Sequence, residues 1–107
     1  MVIIALAWWR YLRPDPMEPP VLPGTLQTGS LEHDGRDRSW LAYIPAARTP
    51  DTALVLVMHG SMGTGEQMRA LTRYDFDVLA ERYGFIAVYP DGYEQHWNDC
   101  RGGADYA

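Results

Sequence analysis

An unbroken apolar run, Leu54-Val55-Leu56-Val57-Met58, stops abruptly at His59-Gly60, and a glycine-rich loop, Ser61-Met62-Gly63-Thr64-Gly65, follows. Five residues apolar on both faces suit a strand inside a parallel sheet, where helices cover each side. Glycines just past the end of such a strand let the backbone turn sharply and leave amide N–H groups uncovered. This one segment restricts the chain to folds in which a parallel strand delivers a tight, open bend.

The rest of the chain reads around that strand. Residues 13–24 hold five of the eight prolines, so they form an extended linker, not a helix or a central strand. Two strand-like runs, residues 26–32 and 39–44, flank His33-Asp34-Gly35-Arg36. Asp-Gly between such runs is a strong hairpin signal. Thr64 and Gln67 have the spacing of a capping box, which starts a helix near Gly65. Asp75 is a second candidate cap. Phe76, Leu79, Ala80 and Tyr83 then share one helical face and predict a buried stripe, with Tyr74 also assigned to packing. Gly84 suits the position after the helix, with Phe85 as its apolar contact. Residues 85–89 form a second short apolar strand, closed by Pro90-Asp91-Gly92, and residues 93–107 read as a loop.

Two parallel strands joined through a helix make a βαβ unit, so the fold class is α/β, beginning with a hairpin. Residues 1–23 divide off as an apolar N-terminus and linker, and residues 24–107 as the folded part. One helix cannot cover both faces of this sheet. The expectation is therefore a portion of a larger α/β domain, with apolar surface and a strand edge left exposed.

Composition sets outer limits. The 107 residues carry a net charge of −5, and all nine basic residues are scattered arginines. No basic patch exists, which argues against a nucleic-acid partner. Cys100 is the only cysteine, so no internal disulfide forms; it reads as a structural residue, a free thiol or half of a bridge to another chain. Residues 1–9 are apolar, too few to span a bilayer, and Arg10 and Arg13 follow. With Trp8, Trp9 and Tyr11 they read either as a loosely packed terminus or as the end of an export signal or membrane anchor. The second reading predicts export and membrane anchoring through residues 1–12.

Three groups of residues then come together: residues 54–65 with His59-Gly60, the run Tyr83-Gly84-Phe85-Ile86-Ala87-Val88-Tyr89-Pro90-Asp91-Gly92, and Trp97-Asn98-Asp99. In these the chain resembles the polyhydroxybutyrate depolymerase and feruloyl esterase group of α/β-hydrolases, over residues 25–106. The resemblance implies an exported serine esterase, acting without a cofactor on a small-molecule or polymeric ester. It implies that the His59-Gly60 turn supplies one oxyanion-hole N–H, from Ser61 first and Met62 second, and in this fold one such donor does come from the loop after this strand. On this reading the backbone of Ser61 matters and its hydroxyl does not, and His59 shapes the turn without acting as a base.

The chain departs from the family at the nucleophile. A Gly-x-Ser-x-Gly elbow is missing, and the three serines are Ser30, Ser39 and Ser61. Ser61 follows the wrong strand, with His59 where the first glycine belongs. The expectation is thus an N-terminal fragment truncated before the elbow, inactive alone. A compact Ser61, Asp91, His96 triad has the right order but nothing in the sequence places Ser61 on a strained, exposed turn. Tyr93 and Trp97 lie past a strand's C-terminal end, where open sheets bind ligands, and are candidate substrate-binding residues; Trp97 equally suits a cap over the core. His96, Asp99 and Cys100 match no metal spacing, so no metal is expected. Two other readings stay open: a non-catalytic binding module derived from such a hydrolase, and a lipase-like or dienelactone-hydrolase-like enzyme. A phosphate-binding loop is disfavoured by the lack of a Walker or Gly-x-Gly-x-x-Gly pattern.

Overall fold

The computed structural model describes residues 2–11 and 16–98; Cys100, Asp99 and the remainder of the predicted tail lie outside the described residues. Within them the chain forms α1 (Val2–Tyr11), β1 (Thr25–His33), β2 (Arg36–Ile44), β3 (Leu54–Leu56), α2 (Gly65–Leu71), α3 (Asp75–Tyr83) and β4 (Ile86–Pro90), with a 3₁₀ turn at Tyr93–Gln95. The four strands make one mixed sheet in the order β1-β2-β4-β3.

The hairpin is set by its turn. Asp34 and Gly35 both take positive φ, 51° and 73°, as a two-residue type I′ connection requires. Nine residues on each side then pair in register, from His33 opposite Arg36 to Thr25 opposite Ile44. β2 runs antiparallel to β4, and β3 lies parallel to β4, with Leu54 opposite Ile86 and Leu56 opposite Val88. Val57 N–H donates to the Val88 carbonyl (2.8 Å), carrying the ladder past β3 towards the bend.

Helices α2 and α3 cover one face of the sheet. Their core joins Tyr43, Val57, Ala80, Ala87 and Tyr89, with Met68, Phe76 and Phe85 packed against it. The other face of β3 is bare among the described residues: Leu54, Leu56 and Met58 are 65%, 62% and 49% exposed. The exposed apolar surface and strand edge expected of this sheet are found at β3, which is not covered on both sides. β3 is an edge strand, and its apolar residues on the second side meet no layer.

Helix boundaries follow local chemistry in part. Thr64 caps α2, its hydroxyl accepting from Gln67 N–H at 3.1 Å. Gly84 ends α3 in the left-handed region and donates to the Ala80 carbonyl. Asp75, expected as a cap, is instead the first residue of α3, because Arg73 and Tyr74 turn the chain with φ of 56° and 60°. The buried stripe is also corrected. Leu79 and Tyr83 are 39% and 66% exposed, whereas Asp77 and Ala80 are fully buried. The helix is rotated so that a carboxylate points inward, where Arg69 Nε donates to Asp77 Oδ2 (2.7 Å) and the Tyr89 hydroxyl to Oδ1 (2.7 Å).

α1 is helical and keeps Ile3, Ile4 and Leu6 exposed. Among the described residues no helix is long and apolar enough to cross a membrane.

Candidate functional site

Parallel strands β3 and β4 end side by side, so their C-terminal loops meet. Residues 57–64 form one wall and residues 91–97 the other. Four hydrogen bonds lace them together. Met62 N–H donates to the Gln95 carbonyl (2.9 Å), and Gly92 N–H donates to His59 Nε2 (2.9 Å). Trp97 Nε1–H donates to the His59 carbonyl (2.8 Å), and Ser61 Oγ lies 2.8 Å from His96 Nδ1. The turns that make this meeting are conformationally costly. Met62, Glu94 and Gln95 all sit at positive φ, which a side-chain-bearing residue adopts only when its surroundings hold it there.

His59 is the hub. It is 4% exposed, and both ring nitrogens are used. Nε2 accepts from Gly92, so the proton resides on Nδ1, which donates to the Gly60 carbonyl at 2.6 Å. Trp97 lies tilted over the His59 ring, with centroids 4.7 Å apart. An imidazole bonded in this way carries no proton to or from a ligand.

Asp91 knits the strand ends to α2. Its Oδ1 accepts from Gly65 N–H (2.8 Å) and its Oδ2 from Ser39 Oγ (2.7 Å). The Asp91 carboxylate is thereby committed to Gly65, at the start of α2, and to Ser39, beside β4. It does not complete a triad with Ser61 and His96 in the sequence-order arrangement. The Ser61 and His96 side chains nevertheless meet, and an exposed Ser61 stands on a bend whose next residue has positive φ.

The bend opens on a cleft of about 260 Å³, lined by His59, Gly60, Ser61, Gly63, Thr64, Gln67, Met68 and Leu71. A Cβ placed on Gly60 would meet nothing within 4 Å, so the backbone there is accessible. Ser61 N–H has no acceptor among the described residues. Met62, expected as the second oxyanion donor, is corrected: its N–H is spent on Gln95. Tyr93 and Trp97 do not line this cleft. Tyr93 carries the Arg36 guanidinium 4.0 Å above its ring, and Trp97 covers His59. A second, wider cleft of about 620 Å³ runs between the hairpin and α2, with Leu26, Leu41 and Trp40 on one side and Glu66, Arg69 and Asp91 on the other. Gly63 and Thr64 border both.

Sequence reasoning missed the Gln95 carbonyl, because nothing local marks a backbone oxygen as a loop-to-loop acceptor. It also gave Asp91 no structural part; the carboxylate's placement at the start of α2 depends on the parallel pairing of β3 and β4. No group of three or more His, Cys, Asp or Glu residues that could hold a metal occurs among the described residues.

The sequence matches no protein-family profile. It matches no curated protein sequence. Among solved structures, vibralactone cyclase is similar, with a TM-score of 0.49 and 20% identity over 86% of this chain. The chain spans 26% of the length of that protein.

Proposed function

We propose that the bend after β3 is the oxyanion-binding element of a carboxylic ester hydrolase of α/β-hydrolase type, in the polyhydroxybutyrate depolymerase and feruloyl esterase group. The observation that carries this reading is the Ser61 amide. It lies at the C-terminal end of a parallel strand, beside the unobstructed Gly60, on the rim of the 260 Å³ cleft, and has no acceptor among the described residues. A backbone N–H held in this way costs no reorganisation when a carbonyl oxygen becomes negative. The buried, doubly bonded His59 fixes the bend, and Trp97 fixes His59. The motif resemblance supports the family, and on this reading the nucleophile, acid and base of the enzyme are groups other than the Ser61 hydroxyl, Asp91 and His59. In that enzyme the substrate is a hydroxyalkanoate or plant-phenolic ester, and α1 belongs to an export signal or membrane anchor.

The test has two arms. Reading the coding sequence past codon 107 should reveal Gly-x-Ser-x-Gly in frame within about 50–70 residues, the length of one more helix and strand. In the protein so defined, p-nitrophenyl acetate and feruloyl ester turnover separate the substrate classes. Ser61→Pro, which deletes the N–H, should lower kcat by about 100- to 1000-fold. An unchanged kcat in that folded variant overturns the assignment.

A further inference from the structure

We propose that Ser61 is also a reactive nucleophile, with His96 as its base, and that the pair takes up an acyl group from activated esters such as aryl acetates. This goes beyond the reading above. There the Ser61 amide serves an ester attacked by another group; here the Ser61 hydroxyl does the attacking.

Three observations converge. Ser61 Oγ lies 2.8 Å from His96 Nδ1, the separation expected of a nucleophile and the base that activates it. Ser61 is exposed and sits between Gly60 and Met62, the second at φ 67°, so its side chain stands out from the bend. Ser61 N–H has no acceptor among the described residues. A nucleophile's own amide is a proven position for an oxyanion donor, because attack by Oγ swings the carbonyl oxygen towards it. The pairing of the two loops supplies the geometry. Met62 N–H on the Gln95 carbonyl fixes the residue after Ser61 against the residue before His96.

The step balances without a further reagent. Ser61 Oγ forms a bond to the acyl carbon as its proton passes to His96 Nδ1. The C–O bond to the aryloxide then breaks, and His96 returns the proton to the leaving oxygen. The product is an O-acyl serine and a phenol.

The full 107-residue chain, treated with p-nitrophenyl acetate and digested for mass mapping, tests this. The chain contains no lysine, so the N-terminal amine and Cys100, which map to their own peptides, are the main competitors. Acetylation is expected at Ser61 on the order of 100-fold faster than at Ser30 or Ser39, the contribution a positioned base makes. His96→Gln keeps a hydrogen-bonding partner for Ser61 but removes the base, and should bring Ser61 down to the rate of the other two serines while the circular dichroism spectrum holds. Equal labelling of the three serines, or undiminished labelling in His96→Gln, overturns the proposal. Loss of labelling in Ser61→Ala alongside continued ester turnover in the complete enzyme supports the nucleophile and leaves the amide reading intact. Loss of kcat in Ser61→Pro with no labelling of Ser61 removes the nucleophile and keeps the amide.

Discussion

The Tyr89 hydroxyl donates to Asp77 Oδ1 at 2.7 Å, and both side chains are fully buried between β4 and α3. Arg69 Nε holds the other carboxylate oxygen at 2.7 Å, so one buried anion joins α2, α3 and the central strand beneath the site. Removing one partner of such a set leaves the others uncompensated. Asp77→Ala should cost about 3–5 kcal/mol, and Tyr89→Phe about 1–3 kcal/mol, with one acceptor left unpaired. Urea unfolding followed by far-ultraviolet circular dichroism measures both. A midpoint unchanged in Asp77→Ala would show that the carboxylate holds nothing together.

Alkaline pH should unfold the chain through its buried phenols. Burial, and then the hydrogen bond it donates to Glu81, push the Tyr43 hydroxyl up from 10 to about 12. Burial and the Asp77 carboxylate raise Tyr89 further in the same direction. The unfolded state sheds these protons near pH 10 while the folded state keeps them, so stability falls as pH rises. The contribution is complete below pH 10 and is lost as pH climbs through about 12. Tyr43→Phe should flatten the decline between pH 10 and 12 in denaturant titrations. A wild-type stability that stays level over that range contradicts the assignment.

α2 approaches β4 too closely for any side chain at its first residue. A Cβ on Gly65 would lie 2.3 Å from the Tyr89 carbonyl oxygen and 2.8 Å from its carbon. Gly65→Ala must shift α2 or strain β4, at a cost of roughly 1–3 kcal/mol. It should also disturb the Asp91 bond to the Gly65 amide. A lowered melting temperature, with altered amide shifts at Asp91 and Gly92, is the expected result; a melting temperature at or above the wild-type value counts against it. Thr64→Ala, one residue earlier, removes only the cap and should cost about 1 kcal/mol.

We propose that α1, apolar up to Arg10 and with Ile3, Ile4 and Leu6 exposed, inserts into a lipid surface. The chain should cosediment with anionic phosphatidylglycerol vesicles, and a chain lacking residues 1–11 should not. Equal sedimentation of the two would remove the membrane role from this segment.

Local chemistry made much of the scaffold readable in advance. Asp34-Gly35 dictates its own turn, because both positions accept positive φ. Thr64 and Gln67 mark the start of α2, and Gly84 marks the end of α3, because caps are contacts between residues three or four apart. The short apolar runs identified β3 and β4. The face of α3 escaped this logic. Phe76, Leu79, Ala80 and Tyr83 have the right periodicity, yet Asp77 is buried because Arg69 and Tyr89, eight and twelve residues away, supply its donors. Met62 failed as a donor for the same kind of reason: its acceptor is 33 residues further on.

What the sequence determined alone was the hairpin, the two apolar strands with a helical crossover between them, and a glycine-lined bend at the end of a parallel strand, since each depends on neighbours along the chain; the α1 helix and the division of the crossover into α2 and α3 were not among them. The tertiary structure decided which amides at that bend are spent and which are open, that β3 keeps one apolar side bare, and that Ser61 meets His96. These depend on how β3 and β4 align and on which loop reaches which, and distances between residues far apart in the chain are written only in the packed fold.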